Sequence, residues 1–469
     1  MKNILKIKLV LQALLLLIIS GCSKSDENTI LPSDPFVVAF ESLSARLSDI
    51  DSQLDIPLVY STSAPQNGVI RISINPINAA YGDDFTTVPS AQNNIIEVPV
   101  ISGTVNSSFI FNINNTTLDE TSQIEFQIIE IDILNSSIQG NTNFLISNSV
   151  SLGRAIMPQV GGPNEPNQVY IDLSTEMSSP IVRDSWDLAF YGGDEFRVGI
   201  NGSIYMAAGS TGLYNIDLIN EADVADLQPL VAVGTFDPLN AEYVDNPNGS
   251  IEENSMGTVK INDSENPVYL INMGFEVGTE IPGPGSTAIT GNDRGWMKIR
   301  VLRAGNDYLL QYANLNSSSH EEVLIQKTSS YNFSFFSLAN NTLVNVEPEM
   351  DKWDLNFTVF TNIIEGSGTY GFADGVLHNR KGGVLAYQVN TSEINYQDFN
   401  LSNVDPSRYE EDQRVIGANW RNVFEGTAFN DRFFILKDSN NNIYKIKFLA
   451  MLNNQGVRGF PEFEYQLIN

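Results

Sequence analysis

From Phe36 to about residue 147, apolar side chains fall at every second position. Ile70, Ile72 and Ile74 alternate with Arg71 and Ser73; Phe109, Phe111 and Ile113 alternate with Ile110 and Asn112; Ile124, Phe126 and Ile128 alternate with Glu125 and Gln127. A period of two sends successive side chains to opposite faces of an extended chain, so these runs predict half-buried strands. Turn formers, Gln66-Asn67-Gly68 and Asn114-Asn115-Thr116, separate them. No helix of useful length is predicted, and residues 36–150 read as a β-sandwich.

The stretch Met157-Pro158-Gln159-Val160-Gly161-Gly162-Pro163-Asn164-Glu165-Pro166 interrupts the pattern. Three prolines and two glycines in ten residues continue neither a ladder nor a helix, so a new domain is expected after it. Val169-Tyr170-Ile171-Asp172-Leu173 reads as its opening strand. Trp186-Asp187-Leu188-Ala189-Phe190 follows, and Trp353-Asp354-Leu355-Asn356-Phe357 is a near copy of it. The hairpin pattern of Trp296 to Tyr312 is repeated by Arg432 to Phe448, and each is followed by an aromatic strand, Tyr331 to Phe336 and Phe463 to Leu467. A unit used twice is implied, with copies at 155–342 and 343–469. The expected fold class is all-β: an N-terminal β-sandwich followed by a duplicated antiparallel β domain.

Composition changes the picture at the N-terminus. Lys2, Lys6 and Lys8 precede an apolar run from Leu9 to Ile19 that is too short to span a membrane, and Ile19-Ser20-Gly21-Cys22 follows. This resembles a bacterial lipobox, which makes residues 1–22 a lipoprotein signal peptide and Cys22 the lipidated first residue of the mature chain. Cys22 is the single cysteine, so no intramolecular disulfide or multi-thiolate metal site is available. Residues 23–35, polar and broken by Pro32 and Pro35, form a tether. Acidic residues just behind the cysteine resemble the surface-export signal of lipoproteins from the Bacteroidetes; a plain solvated spacer is the alternative. The expected location is the outer membrane, lipid-anchored and facing the cell exterior.

Charge and missing motifs narrow the function. Over 469 residues the net charge is −30, which repels phosphate backbones, so no nucleic-acid partner is expected. No nucleophile elbow, Walker-type phosphate loop or clustered histidines are present, and no enzymatic activity is expected. The two histidines, His320 and His378, fall in different copies and read as solvated or strand-end residues.

Two resemblances add to this reading. Ala80-Tyr81-Gly82-Asp83-Asp84-Phe85-Thr86 and Leu118-Asp119-Glu120-Thr121-Ser122-Gln123-Ile124-Glu125-Phe126 resemble the paired signatures of Calx-β domains, small sandwiches that in some members bind calcium. The resemblance implies Asp83, Asp84, Asp119 and Glu120 as calcium ligands, since calcium takes six to eight oxygens. Asp49, Asp51 and Asp55 stand where that family places a glutamate, and acids capping solvated turns are the other reading.

The order Tyr170-Ile171-Asp172-Leu173, Trp186 to Phe190, Arg197, Asn201-Gly202, hairpin and aromatic strand is similar to the HmuY-like haem-binding lipoproteins of the Bacteroidetes. The second copy, with Asp351 to Leu355 and Ile416 to Arg421, fits as well. The resemblance implies a hand-like β fold gripping haem between axial ligands that are histidine in some members and methionine in others. One family ligand precedes a glycine at the end of the strand before the hairpin, which here is Met273-Gly274. Met256 is the candidate for the other, with Tyr243 or Met206 as replacements, and a core-filling role is the alternative for any of these methionines. Ile281 to Gly285 reads as a lid or a long loop. The expected function is a surface lipoprotein binding haem or a related porphyrin for iron acquisition, its partner haem or a haem-carrying protein. The alternative is a non-enzymatic adhesion or glycan-binding lipoprotein without haem.

Overall fold

The computed structural model describes residues 35–47, 50–114, 118, 121–139, 141–147 and 151–468. Cys22, the tether up to residue 34, Asp49, Asp119 and Glu120 lie outside them. The described chain is all-β, and every helical element in it is a 3-10 turn of three to six residues. No helix among the described residues is long and apolar enough to cross a membrane.

The N-terminal part forms two five-stranded sheets. One runs Phe85–Val88, Asn106–Ile113, Gln53–Tyr60, Phe36–Phe40, Ser136–Ile138; the other runs Ser44–Arg46, Asn143–Ser147, Gln123–Ile131, Gly68–Ile77, Ile95–Val100. The alternating residues meet between them: Ile70, Ile72, Ile74, Phe109, Phe111, Ile124 and Phe126 belong to one buried cluster that contains no residue beyond Ile146. This part therefore carries its own core.

Beyond it, two units of nine strands share one plan. The first has a five-stranded sheet in the order Ala207–Ser210, Tyr269–Asn272, Trp296–Ala304, Asp307–Asn314, Glu321–Ile325, and a four-stranded sheet in the order Val198–Ile200, Leu188–Tyr191, Phe333–Ser337, Thr342–Val344. The second has Leu385–Asn390, Arg432–Lys437, Ile443–Leu452, Arg458–Leu467, Ala155–Ile156, and Gly368–His378, Leu355–Ile364, Asn167–Asp172, Met177–Val182. Position by position the two orders correspond, but the last three strands of the second unit come from the start of the region. Val169, Tyr170 and Ile171 pair with Phe357, Asn356 and Leu355, whereas Phe333, Phe335 and Phe336 pair with Tyr191, Ala189 and Leu188. Each Trp-Asp-Leu strand thus lies beside the hairpin that precedes the other one in sequence.

This arrangement changes the expected repeat in two ways. The strand corresponding to Phe333–Ser337 is Asn167–Asp172; Phe463 to Leu467 instead lies in the five-stranded sheet, in the place of Asp307–Asn314, and Arg432 to Phe448 accordingly stands in the places of Tyr269–Asn272 and Trp296–Ala304 rather than repeating the hairpin Trp296 to Tyr312. Strand, turn and strand look alike in sequence, and only the ladder partners tell them apart. Residues 342 and 343 also lie inside one hairpin, Phe333–Ser337 with Thr342–Val344. The proline- and glycine-rich stretch touches both units: Val160 is buried in the core of the second and Glu165 accepts the Asp374 N–H there, while the Asn164 amide donates to the Glu280 and Ala288 carbonyls in the first half. The sandwich meets this region through residues 151–154, with Leu152 N–H donating to Ser44 Oγ at 2.8 Å and Ser151 Oγ lying 2.9 Å from Tyr465 Oη.

Candidate functional site

The duplicated Trp-Asp motif has the same job in both units. Asp187 Oδ2 accepts the Leu338 N–H at 2.7 Å, and Asp354 Oδ2 accepts the Leu173 N–H at 2.8 Å, so each carboxylate fixes the chain leaving the neighbouring strand. Asn201 Nδ2 donates to the Arg183 and Trp186 carbonyls, and Asn379 Nδ2 to those of Met350 and Trp353. Both asparagines cap a 3-10 turn that ends in a left-handed residue, Tyr205 at φ 67° and Gly383 at φ 86°. The tryptophans stack edge-on against equivalent partners, Trp186 on Phe335 at 4.9 Å and Trp353 on Tyr170 at 5.0 Å. All four rings line one cavity of about 210 Å³ between the two four-stranded sheets.

The symmetry fails at the cavity's polar groups. Trp186 Nε1 donates to Gln168 Oε1 at 2.8 Å, but the register puts Phe333 in Gln168's place near Trp353, and Trp353 Nε1 has no partner. Asn356 stands where the first unit has Ala189, and its Oδ1 is likewise without a hydrogen bond. Lys381 replaces Ser203 two residues after the capping asparagine; its Nζ donates to the Gly249 carbonyl at 2.9 Å and lies 5.1 Å from the Phe333 ring centroid. Glu347 accepts the Phe333 N–H at 2.9 Å. Burial pushes the Glu347 carboxyl up to about 8 and the Lys381 ammonium down to about 8, against the mutual attraction of the two. Burial likewise raises the Tyr170 phenol well above its ordinary value, Glu347 adding to the effect.

A second concavity, a cleft of about 700 Å³, lies beside the first unit's five-stranded sheet. Its wall includes Met273, Arg294, Trp296, Met297, Tyr312 and His320, with Glu276, Asp293 and Glu321 among its acids. Met273 borders the cleft but is 2% exposed, its side chain in the core cluster with Leu188 and Phe190. Met297, one strand over, is half-buried. His320 Nδ1 lies 2.8 Å from Asp217 Oδ1 and Nε2 3.4 Å from Glu322 Oε1; the Asp217 hydrogen bond, then Glu322, raise the imidazole above its ordinary value. Arg294 pairs with buried Asp187 at 2.8 Å.

The remaining sequence candidates are placed as follows. Met256 belongs to the same core cluster as Met273 but borders a separate pocket of about 20 Å³ with Val198, Val259 and Val301, far too small for a porphyrin. Met206 lines the central cavity, and Tyr243 packs against the cluster around Ala207 and Val231. Asp83 is exposed, while Asp84 Oδ2 accepts the Ala80 N–H at 2.8 Å and closes its own turn. No group of three or more His, Cys, Asp or Glu side chains that could hold a metal occurs among the described residues, so calcium gains no support there. His378, expected at an exposed strand end, is 0% exposed, because it pairs with Leu355 inside the second unit where the first has Ile200. Sequence reading missed Met297 and the set Trp353, Asn356, Lys381 and Glu347. For Asn356 a signal existed, since the copies read Trp-Asp-Leu-Ala-Phe and Trp-Asp-Leu-Asn-Phe.

No curated protein matches the chain. Among solved structures, the apo form of the Calx CBD1 domain is 9% identical with a TM-score of 0.20, covering 24% of this chain and 96% of that one. CBD12 from CALX1.2 is 9% identical with a TM-score of 0.19, covering 31% and 75%. The HmuY protein family matches residues 164–294 and 329–465, and each matched stretch begins just ahead of one exchanged hairpin. With more than half of its residues in these two stretches, the chain belongs to the HmuY protein family.

Proposed function

We propose that this protein binds haem or a related porphyrin at the cleft beside Met273, as a non-enzymatic lipoprotein anchored through Cys22 at the cell surface and serving iron acquisition. The observation that carries the reading is a cleft of about 700 Å³ with thioethers and cations on one wall. Its volume lies within the roughly 300–1,000 Å³ of small-molecule sites. Thioether sulfur is an axial ligand for haem iron, and Met297 and Met273 are the methionines on this wall. Met297, the less covered of the two, is the first donor a ligand meets. Arg294 and His320 are the basic side chains of this wall; Arg294 is held by buried Asp187 and His320 lies between Asp217 and Glu322, so a porphyrin carboxylate would compete with those acids, most readily at His320. Bound here, haem would supply an iron centre open to axial coordination. Family membership supports the same assignment.

Absorbance titration with haemin tests it. The expected result is a saturable Soret shift at micromolar protein, altered in position by Met297→Ala or Met273→Ala. His320→Ala is expected to weaken binding while leaving the band position unchanged. A flat titration removes the haem reading; a normal one that neither methionine variant alters removes the ligand assignment alone.

A further inference from the structure

The central cavity lies away from the cleft and is lined by a different set of residues, and the haem reading leaves it without a role. At about 210 Å³ it is far below porphyrin size. It sits between the two units, and the duplication supplies an internal control for what its lining needs. In one half, the positions are filled by groups that are apolar or already paired: Trp186 with its N–H on Gln168, Ala189, Ser203 and Phe335. In the other half, the equivalent positions carry Trp353, Asn356, Lys381 and Tyr170, and Glu347 joins them. These are polar groups in a largely buried place: Trp353 is 9% exposed, Asn356 7%, Tyr170 4% and Glu347 9%.

Burying such groups costs free energy unless something bonds to them, and here the protein leaves the indole N–H and the amide oxygen without a partner. Lys381 and Glu347 attract each other yet make no direct ion pair within 4 Å among the described residues. The lining mixes donors and acceptors and sets two cations, Lys381 and Arg380, against two acids, Glu347 and Asp245, so it selects a ligand without net charge whose groups both donate and accept. Hydroxyls have that property. The same lining includes the aromatic rings of Trp186, Trp353, Phe333 and Phe335, which suit the C–H faces of a saturated ring.

We infer that the cavity between the two repeats is a binding site for a neutral polyhydroxylated molecule of monosaccharide size, held by Trp353, Asn356, Lys381, Glu347 and Tyr170. The site is independent of haem binding. Loop residues Asn246, Pro247 and Gly249 from the first unit, with Arg380 and Gln413 from the second, form part of the same lining, so the ligand contacts both units.

The test is titration of the intact, haem-free protein with glucose, galactose, mannose and N-acetylglucosamine to about 20 mM, enough to saturate a millimolar site. Tryptophan emission gives the readout, measured in the Trp296→Phe background so that the cleft does not contribute and Trp186 and Trp353 are the tryptophans lining a cavity. A saturable shift is expected with at least one sugar. Asn356→Ala and Lys381→Ser, which restore the side chains that the first unit carries at these places, are expected to fold and to weaken that sugar at least tenfold, while haemin binding in the same variants stays unchanged. The proposal is overturned if none of the four sugars gives a saturable shift, if both variants bind as the parent does, or if free glycine or glutamate produces the same shift and competes with the sugar. A flat titration joined to a higher melting temperature in Asn356→Ala would identify the cavity as a water-filled void.

Discussion

At the scale of single residues, His378 is the sharpest departure from the internal symmetry. It takes the place of Ile200, is fully buried, and burial lowers its imidazole to about 4. Unfolded histidine titrates near 6.5. Above that value both states are neutral and the fold carries no penalty; as pH falls from 6.5 to 4 the unfolded chain binds the proton first, and stability is lost. His378→Ile removes this loss. The stability of the variant relative to the parent is expected to rise as pH falls from 6.5 to 4, by on the order of 3 kcal/mol at the acid end, measured as the difference between the two in thermal denaturation at each pH. Glu347 acts in the other direction. Its carboxyl is raised to about 8, so the stability it contributes is complete below its unfolded value near 4.5 and is lost as pH rises to 8. Glu347→Gln is expected to flatten that alkaline slope in a thermal denaturation series; an unchanged slope would show that Glu347 is not the group responsible.

At the scale of elements, the turns after the Trp-Asp strands set the geometry. The 3-10 turn Gly202–Ile204 packs over the end of Tyr269–Asn272, where Gly274 sits at φ 67° with the Ile204 carbonyl oxygen in the space a Cβ would need. Gly274→Ala therefore meets left-handed strain and a backbone overlap together, and is expected to cost on the order of 3 kcal/mol in chemical denaturation. Gly305→Ala is the control, since its φ of 67° carries the same strain with open space around it. Much of this level was legible beforehand. Alternation at Ile70, Ile72 and Ile74 or Phe109 and Phe111 reports the buried face directly, because a strand's side-chain period is a local property. The Trp-Asp-Leu copies likewise marked equivalent strands. Ladder partners are not local: nothing in Val169-Tyr170-Ile171 says that it lies beside Leu355 to Phe357. The central cavity, built by strands from both halves, was hidden for the same reason. His378 was misread because its polarity argued for solvent, while its partner across the ladder placed it in the core.

At the scale of the whole molecule, the exchanged hairpins make each unit depend on the other half of the chain. Val169, Ile171 and Leu173 are buried with Leu355, Phe357, Val376, Phe434 and Phe463, so the second unit's core is incomplete without residues 155–182. Three aliphatic side chains at roughly 1.5–3 kcal/mol each are a large part of a domain's net stability. The hairpin Phe333–Ser337 with Thr342–Val344 completes the first unit in the same way, with Phe336 in its core. A cut between residues 345 and 346 tests this interdependence. Fragment 346–468 alone is expected to aggregate or stay unfolded, and fragment 155–345 to expose the hairpin Asn167–Val182; co-expressed, the two should form a 1:1 complex with the intact region's cooperative melt, measured by light scattering and calorimetry. Fragment 35–150, whose core is confined to its own strands, should melt cooperatively by itself. Two independently folded fragments with no affinity for each other would contradict the exchange. In that event the central cavity, which takes Trp186 from one piece and Trp353 from the other, would have no closed form either, so the cleavage experiment and the sugar titration bear on the same interface from opposite sides.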